Sequence, residues 1–225
     1  MKNKKYLFPL ITFILSFGSA LFVATKVFPN NPFTGTELEK ITSDKFKDGD
    51  IIFQTSESAQ CEAVRIATKS KFSHCGIIFT KNGKQFVFEA VQPVKTTPLE
   101  NWIRHGRDSK YVVKRLKNAS AVLNAETLEK MKSYGKQFIG KEYDAYFEWT
   151  DNRIYCSELV WKIYKNGTGI ELSQLRQLKE FSLGDPRVQA ILKERYGNEI
   201  PLEEKVVAPS DLADSKLLTT VFDNY

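Results

Sequence analysis

Cysteine and histidine are scarce in this chain: three cysteines and two histidines occur in 225 residues. So low a cysteine count in so long a chain excludes a disulfide-stapled scaffold. The number is also odd, so in an exported protein at least one thiol stays unpaired or reaches another molecule. Internal repeats and low-complexity tracts are missing, and the length suits one domain with an appendage. A long basic run is missing as well, despite a formal charge of +6. That surplus fits an anionic neighbourhood such as a membrane or wall polymer, and no nucleic-acid partner is expected. Cys75 lies beside His74 and invites a metal reading with Cys61 and His105, but no pair has the usual ligand spacing of two to four residues. No metal and no cofactor is therefore expected.

What is present divides into two materials. Lys2, Lys4 and Lys5 precede an apolar run over residues 6–24. This pattern matches the charged and apolar regions of an export signal. It is also close to the roughly 20 apolar residues that span a bilayer. Positive charge at the N-terminal end orients the remainder outward. Gly18-Ser19-Ala20 offers small residues for cleavage, and no cysteine follows to carry a lipoprotein anchor. The expected division is a signal peptide or membrane anchor over 1–25, a linker over 26–36 and a folded domain over 37–225. The location expected is outside the cytoplasm, periplasmic or facing outward from the membrane.

Within the folded part, Lys47-Asp48-Gly49-Asp50 predicts a turn leading into a buried strand at Ile51-Ile52-Phe53. Residues 56–69 place Ala59, Ala63, Val64, Ile66 and Ala67 on one helix face. Strands are predicted over 73–79 and 85–91, joined by a hairpin turn at Asn82-Gly83. A third is predicted over 111–116, after a polar stretch containing Trp102 and Gly106. Helices are predicted from the Asn124 cap to Gly140, over 156–165, and from Asp185-Pro186 to Gly197. A last strand covers 217–222. The fold class is therefore α+β, an antiparallel sheet packed with helices.

Cys156 opens a helix directly after a loop, where unpaired N–H groups favour a thiolate and an adjacent oxyanion. Such a thiol needs a base. His74, on a strand, is the more rigid candidate of the two histidines. Glu89 interrupts an apolar strand, and pairing about Asn82-Gly83 puts it near residues 75–77, within reach of His74. Each residue also has an ordinary reading. Cys156 can be a small buried residue, His74 a structural histidine, and Glu89 the partner of a surface lysine. Alternation along the strand turns Cys75 from the face His74 uses.

Four stretches carry a resemblance: Gly49-Asp50-Ile51-Ile52-Phe53-Gln54-Thr55, Phe72-Ser73-His74-Cys75-Gly76-Ile77, Phe88-Glu89-Ala90-Val91 and Tyr155-Cys156-Ser157-Glu158-Leu159-Val160. In this order, with Pro209-Ser210-Asp211-Leu212 near the end, they resemble the YiiX/YaeF-type proteins. These form a circularly permuted branch of the NlpC/P60 papain-like superfamily. The resemblance implies a permuted papain-like fold, with Cys156 as nucleophile, His74 as base and Glu89 as the polar third residue. It also matches Tyr143-Asp144 to a segment preceding the nucleophile, giving Tyr143 a place in substrate binding. Cys75 departs from the pattern, since a small aliphatic residue is common there; pairing with Cys61 and an inert thiol both stay open.

The activity implied is hydrolysis of an amide or ester through a Cys156 acyl-enzyme, with a cell-wall peptide or a lipid acyl group as substrate. Tyr143, Tyr146, Phe147 and Trp149 suit an apolar groove or the core equally well. A lipid acyltransferase using the same residues and a non-catalytic envelope binding module are the alternatives.

Overall fold

The computed structural model describes residues 45–225. The hydrophobic segment expected at 1–25 and the linker at 26–36 lie outside the described residues. A six-stranded antiparallel sheet forms the centre, built from β1 (Ile51–Gln54), β2 (His74–Lys81), β3 (Lys84–Glu89), β4 (Lys95–Pro98), β5 (Tyr111–Leu116) and β8 (Leu218–Asp223). Their spatial order is β4-β3-β2-β1-β5-β8. The helices are α1 (Ala59–Thr68), α2 (Leu99–His105), α3 (Ala119–Val122), α4 (Ala125–Lys136), α5 (Cys156–Thr168), α6 (Pro186–Tyr196) and α7 (Pro209–Ala213). Two short strands, β6 (Arg176–Gln177) and β7 (Lys205–Val206), pair separately.

The sheet is covered on both faces, which explains why β1 is buried at every position. Ile51, Phe53, Cys75, Ile77 and Phe88 point to the face that α5 packs against. Ile52, Ile78, Val87 and Val113 point to the opposite face, against Leu99, Trp102 and Ile103 of α2. Each such fully buried Ile, Phe or Val contributes about 1.5–3 kcal/mol relative to exposure. A third cluster, Ala63, Val188 and Leu192, joins α1 to α6.

Local signals explain most boundaries. Asn82 and Gly83 both adopt positive φ, 52° and 75°, as a two-residue hairpin turn requires. Asn124 accepts the Thr127 N–H at 2.9 Å, opening α4. Asp185 accepts from Arg187 N–H at 2.9 Å, opening α6 with Pro186 as its first residue. Three elements are shorter than their patterns suggest. α1 begins at Ala59 because Ser58 caps it, β3 ends at Glu89, and α4 ends at Lys136 although Phe138 remains buried. The stretch read as polar before β5 holds both β4 and α2. With four and seven residues, they are too short for either to repeat its period. Among the described residues no helix is long and apolar enough to cross a membrane.

Candidate active site

Cys156 is the first residue of α5 and is 3% exposed. The start of this helix is held from both sides of the cysteine. Tyr155 Oη accepts the Val207 N–H at 3.2 Å, and Ser157 Oγ donates to the Val207 carbonyl at 2.7 Å. The first N–H groups of a helix have no intrahelical acceptor, so they converge on whatever charge forms at Cys156.

His74 is the first residue of β2, and its Nε2 lies 2.6 Å from Glu89 Oε2. The hairpin register explains the meeting. Ile77 pairs with Phe88, so Glu89 stands opposite Gly76, on the same face as His74 two residues away. A side chain at Gly76 would block this approach: a Cβ there would lie 2.8 Å from the Phe88 carbonyl oxygen and closer still to Val87. Glu89 is buried and accepts two further hydrogen bonds, from Trp102 Nε1 at 2.8 Å and from Thr97 Oγ1. Burial pushes its carboxyl up, but the bonds from His74, Thr97 and Trp102 outweigh burial and hold it below the usual carboxylate value. The His74 ring also stacks on Trp102, with centroids 5.8 Å apart. Thr97 and Trp102 carry no motif of their own and were not legible as site residues.

With Nε2 engaged by Glu89, Nδ1 is the ring nitrogen left to face Cys156. Burial lowers the His74 value, yet the bonds to Cys156 and Glu89 raise it to about 10. Cys156 moves the opposite way, well below an ordinary thiol, chiefly because the Cys75 thiol hydrogen-bonds to it. His74 adds its hydrogen bond and charge, against the cost of burial. The pair is therefore a thiolate facing an imidazolium.

Cys75 lies where alternation predicts, yet it adjoins the site. Alternation does place it on the face opposite His74, but α5 and Cys156 cover that very face. His74, at the end of the strand, reaches Cys156 from the other side. Cys75 is therefore a neighbour of the Cys156 thiol, and burial and the Cys156 charge push its own value up. All three cysteines are unpaired. Cys75→Ala should shift the alkylation profile of Cys156 toward higher pH, since it removes the neighbouring thiol that helps hold the Cys156 value down. Iodoacetamide labelling read by peptide mass spectrometry measures the shift, and an unchanged profile refutes the role given to Cys75.

An apolar groove opens beside Cys156, lined by Val64, Ala67, Leu178, Leu183 and Val207 together with Tyr143 and Phe147. Tyr143 is brought there by a bridge to Ile154, two residues before Cys156. Of the four aromatics of this loop, Tyr143 and Phe147 line the groove. Tyr146 packs on Tyr196 and Trp149 on Trp161. His105 ends α2, exposed. Among the described residues no group of three or more His, Cys, Asp or Glu side chains is arranged to hold a metal ion.

Comparison with known proteins agrees with this geometry in fold and family. The chain is 50% identical over 173 residues to the uncharacterized protein YiiX of Escherichia coli K12, covering 77% of this chain and 84% of the relative. It matches a crystal structure described as the metalloprotein yiiX of Escherichia coli O157:H7, with a TM-score of 0.76 and 49% identity. That match covers 80% of this chain and 99% of the solved one. Residues 45–222 match the family described as permuted papain-like amidase enzymes, YaeF/YiiX, C92 family. The chain thus belongs to the YaeF/YiiX family of permuted papain-like amidases and is a cysteine hydrolase of the amidase or peptidase type.

Proposed function

We propose that this protein works outside the cytoplasm and cleaves an amide or ester bond of an apolar acyl group through a Cys156 acyl-enzyme. The observation that carries the reading is the Cys156, His74 and Glu89 array opening onto a groove walled almost wholly by apolar side chains. Such a wall suits an alkyl chain better than a charged wall peptide.

The steps follow from the groups at hand. The Cys156 thiolate attacks the carbonyl carbon, and the carbonyl electron pair moves onto oxygen, where the free N–H groups at the start of α5 receive it. Collapse of this intermediate breaks the bond to the leaving amine or alcohol. The leaving group takes the proton held on His74 Nδ1. The neutral imidazole then removes a proton from water, which attacks the thioester and releases the carboxylic acid. Cys156 departs as thiolate and His74 is again protonated. Glu89 stays ionised throughout and holds the ring by its Nε2–H. The relative described as a metalloprotein raises a metal role. The donors present do not fit one, since among the described residues no group of three or more His, Cys, Asp or Glu side chains is arranged to hold an ion and His74 Nε2 is engaged by Glu89, and no step runs through a metal.

The test is a series of p-nitrophenyl esters and acyl amides of increasing chain length, offered to the full-length protein beside wall-peptide fragments. At about 0.8 kcal/mol per buried CH₂, kcat/KM should rise about fourfold per methylene until the groove is filled. Rates indifferent to chain length, with wall peptides preferred, would sink the acyl assignment. Acyl groups delivered to an added amine in place of water would reassign the protein as an acyltransferase. Binding without turnover, unaffected by Cys156→Ala, would leave a binding module. For location, the full chain fused at its C-terminus to alkaline phosphatase should be active, because the N-terminal segment exports it; an inactive fusion refutes export.

A further inference from the structure

The Tyr143 hydroxyl has a hydrogen-bonding arrangement that the steps above do not use. Its oxygen accepts from Gln60 Nε2 at 3.1 Å. The orientation of that amide is decided by a third element. Arg195, near the end of α6, donates from Nη2 to Gln60 Oε1 at 2.7 Å and from Nη1 to the Ala145 carbonyl at 2.7 Å. A guanidinium has only donors, so the amide must turn its oxygen to Arg195 and its NH₂ to Tyr143. The phenol is thereby made an acceptor toward Gln60, and its own hydrogen finds no acceptor among the described residues. Tyr143 lines the groove together with Cys156. The backbone behind it is fastened at both faces: Tyr143 N–H donates to Gln92 Oε1 at 2.7 Å, and Asp144 N–H to the Ile154 carbonyl at 3.1 Å.

We propose that Gln60, oriented by Arg195, is a positioning residue that dedicates the Tyr143 hydrogen to the oxyanion formed when Cys156 attacks a carbonyl. This rests on the hydrolase reading of the site. Burial, and then the charge of Cys156, hold the Tyr143 phenol well above its ordinary value, so it remains a neutral donor at any working pH. Its donation grows as the carbonyl oxygen gains charge and is absent from steps that form no oxyanion.

The experiment compares two reactions of Cys156 in the full-length protein. One is acylation by p-nitrophenyl octanoate, read as pre-steady-state nitrophenolate release. The other is alkylation by iodoacetamide, a displacement at carbon that builds no oxyanion. Tyr143→Phe should slow acylation about 10²-fold, the loss typical of one oxyanion donor. Gln60→Glu keeps a partner for Arg195 but presents a carboxylate that takes the phenol hydrogen, so it should lose about as much. Gln60→Ala should lose about tenfold, with kcat falling and KM little changed. Alkylation should be unaltered in all three, and Gln60→Glu should cost nothing further in the Tyr143→Phe background. Three results overturn the proposal: a Gln60→Glu protein that acylates at the wild-type rate, equal further loss in the Tyr143→Phe background, or a matching loss of alkylation. If the wild type itself releases no nitrophenolate, the hydrolase reading falls and this proposal with it. An active wild type with indifferent Gln60 variants removes this proposal alone.

Discussion

Iodoacetamide is expected to label Cys156 rapidly at pH 6, and His74→Ala to slow that labelling about 10²-fold. An isolated thiol with a pKa of about 8.5 is roughly 0.3% thiolate at pH 6, so losing the imidazolium removes most of the reactive form. Part of that loss is offset because a more basic thiolate is intrinsically more nucleophilic. Hydrolysis should fall further, by about 10²–10⁴-fold, since His74 also supplies the proton to the leaving group. The wild-type pH profile follows from the two opposed shifts. Cys156 lies well below an ordinary thiol and His74 at about 10, so activity should extend across neutrality and decline above about pH 10, where Nδ1 loses its proton. Stability obeys the same linkage. Because the folded His74 value is raised, its contribution is fully present below the unfolded value of about 6.5 and is lost as pH rises through about 10. Because the Cys156 value is lowered, its contribution is present above the unfolded value of about 8.5 and is lost as pH falls through the lower folded one. Labelling of Cys156 that tracks Cys61, with no response to His74→Ala, would refute the dyad.

Glu89→Ala is expected to be among the most destabilising single substitutions in the described fold. It strips the acceptor from three donors at once, His74 Nε2, Trp102 Nε1 and Thr97 Oγ1. It also leaves a buried imidazolium without its carboxylate. Breaking a buried pair of this kind costs about 3–5 kcal/mol. For a domain of this size that is a fall in Tm of about 6–20 °C, measurable by calorimetry. Glu89→Gln separates catalysis from folding. The amide preserves volume, and its oxygen can still face His74 and Trp102 while its NH₂ donates to the Thr97 hydroxyl, so the ring keeps an acceptor but loses its charge partner. Activity should drop about 10²–10⁴-fold with a smaller loss of stability. Trp102→Phe removes one donor and keeps the other two, so its cost should be about 1.5–3 kcal/mol. A Glu89→Gln protein with a wild-type rate and alkylation profile would show that the carboxylate supports the fold alone.

Much of this site was legible because it is local. Asn82-Gly83 sets the hairpin register, and a period of two then puts Glu89 opposite Gly76 and on the His74 face. The loop before Cys156 and the apolar spacing after it mark the helix start. The partners of Glu89 were hidden by scale. β4 and α2 have four and seven residues, and α2 shows only Leu99, Trp102 and Ile103 as its buried face. Gln60 and Arg195 are 135 positions apart, and no sequence period joins them.

The chain by itself determined its longer strands and helices, the α+β class, the hairpin register and the resemblance that singled out Cys156, His74 and Glu89. These rest on short-range periodicity, turn chemistry and motifs, which neighbouring residues encode. Tertiary packing alone decided that α5 covers the Cys75 face of β2, and so that Cys75 touches Cys156. It likewise decided that Tyr143 and Phe147 enter the groove while Tyr146 and Trp149 pack elsewhere. Alternation states which side chains share a face of a strand, but which helix is laid on that face depends on the area buried by the whole domain.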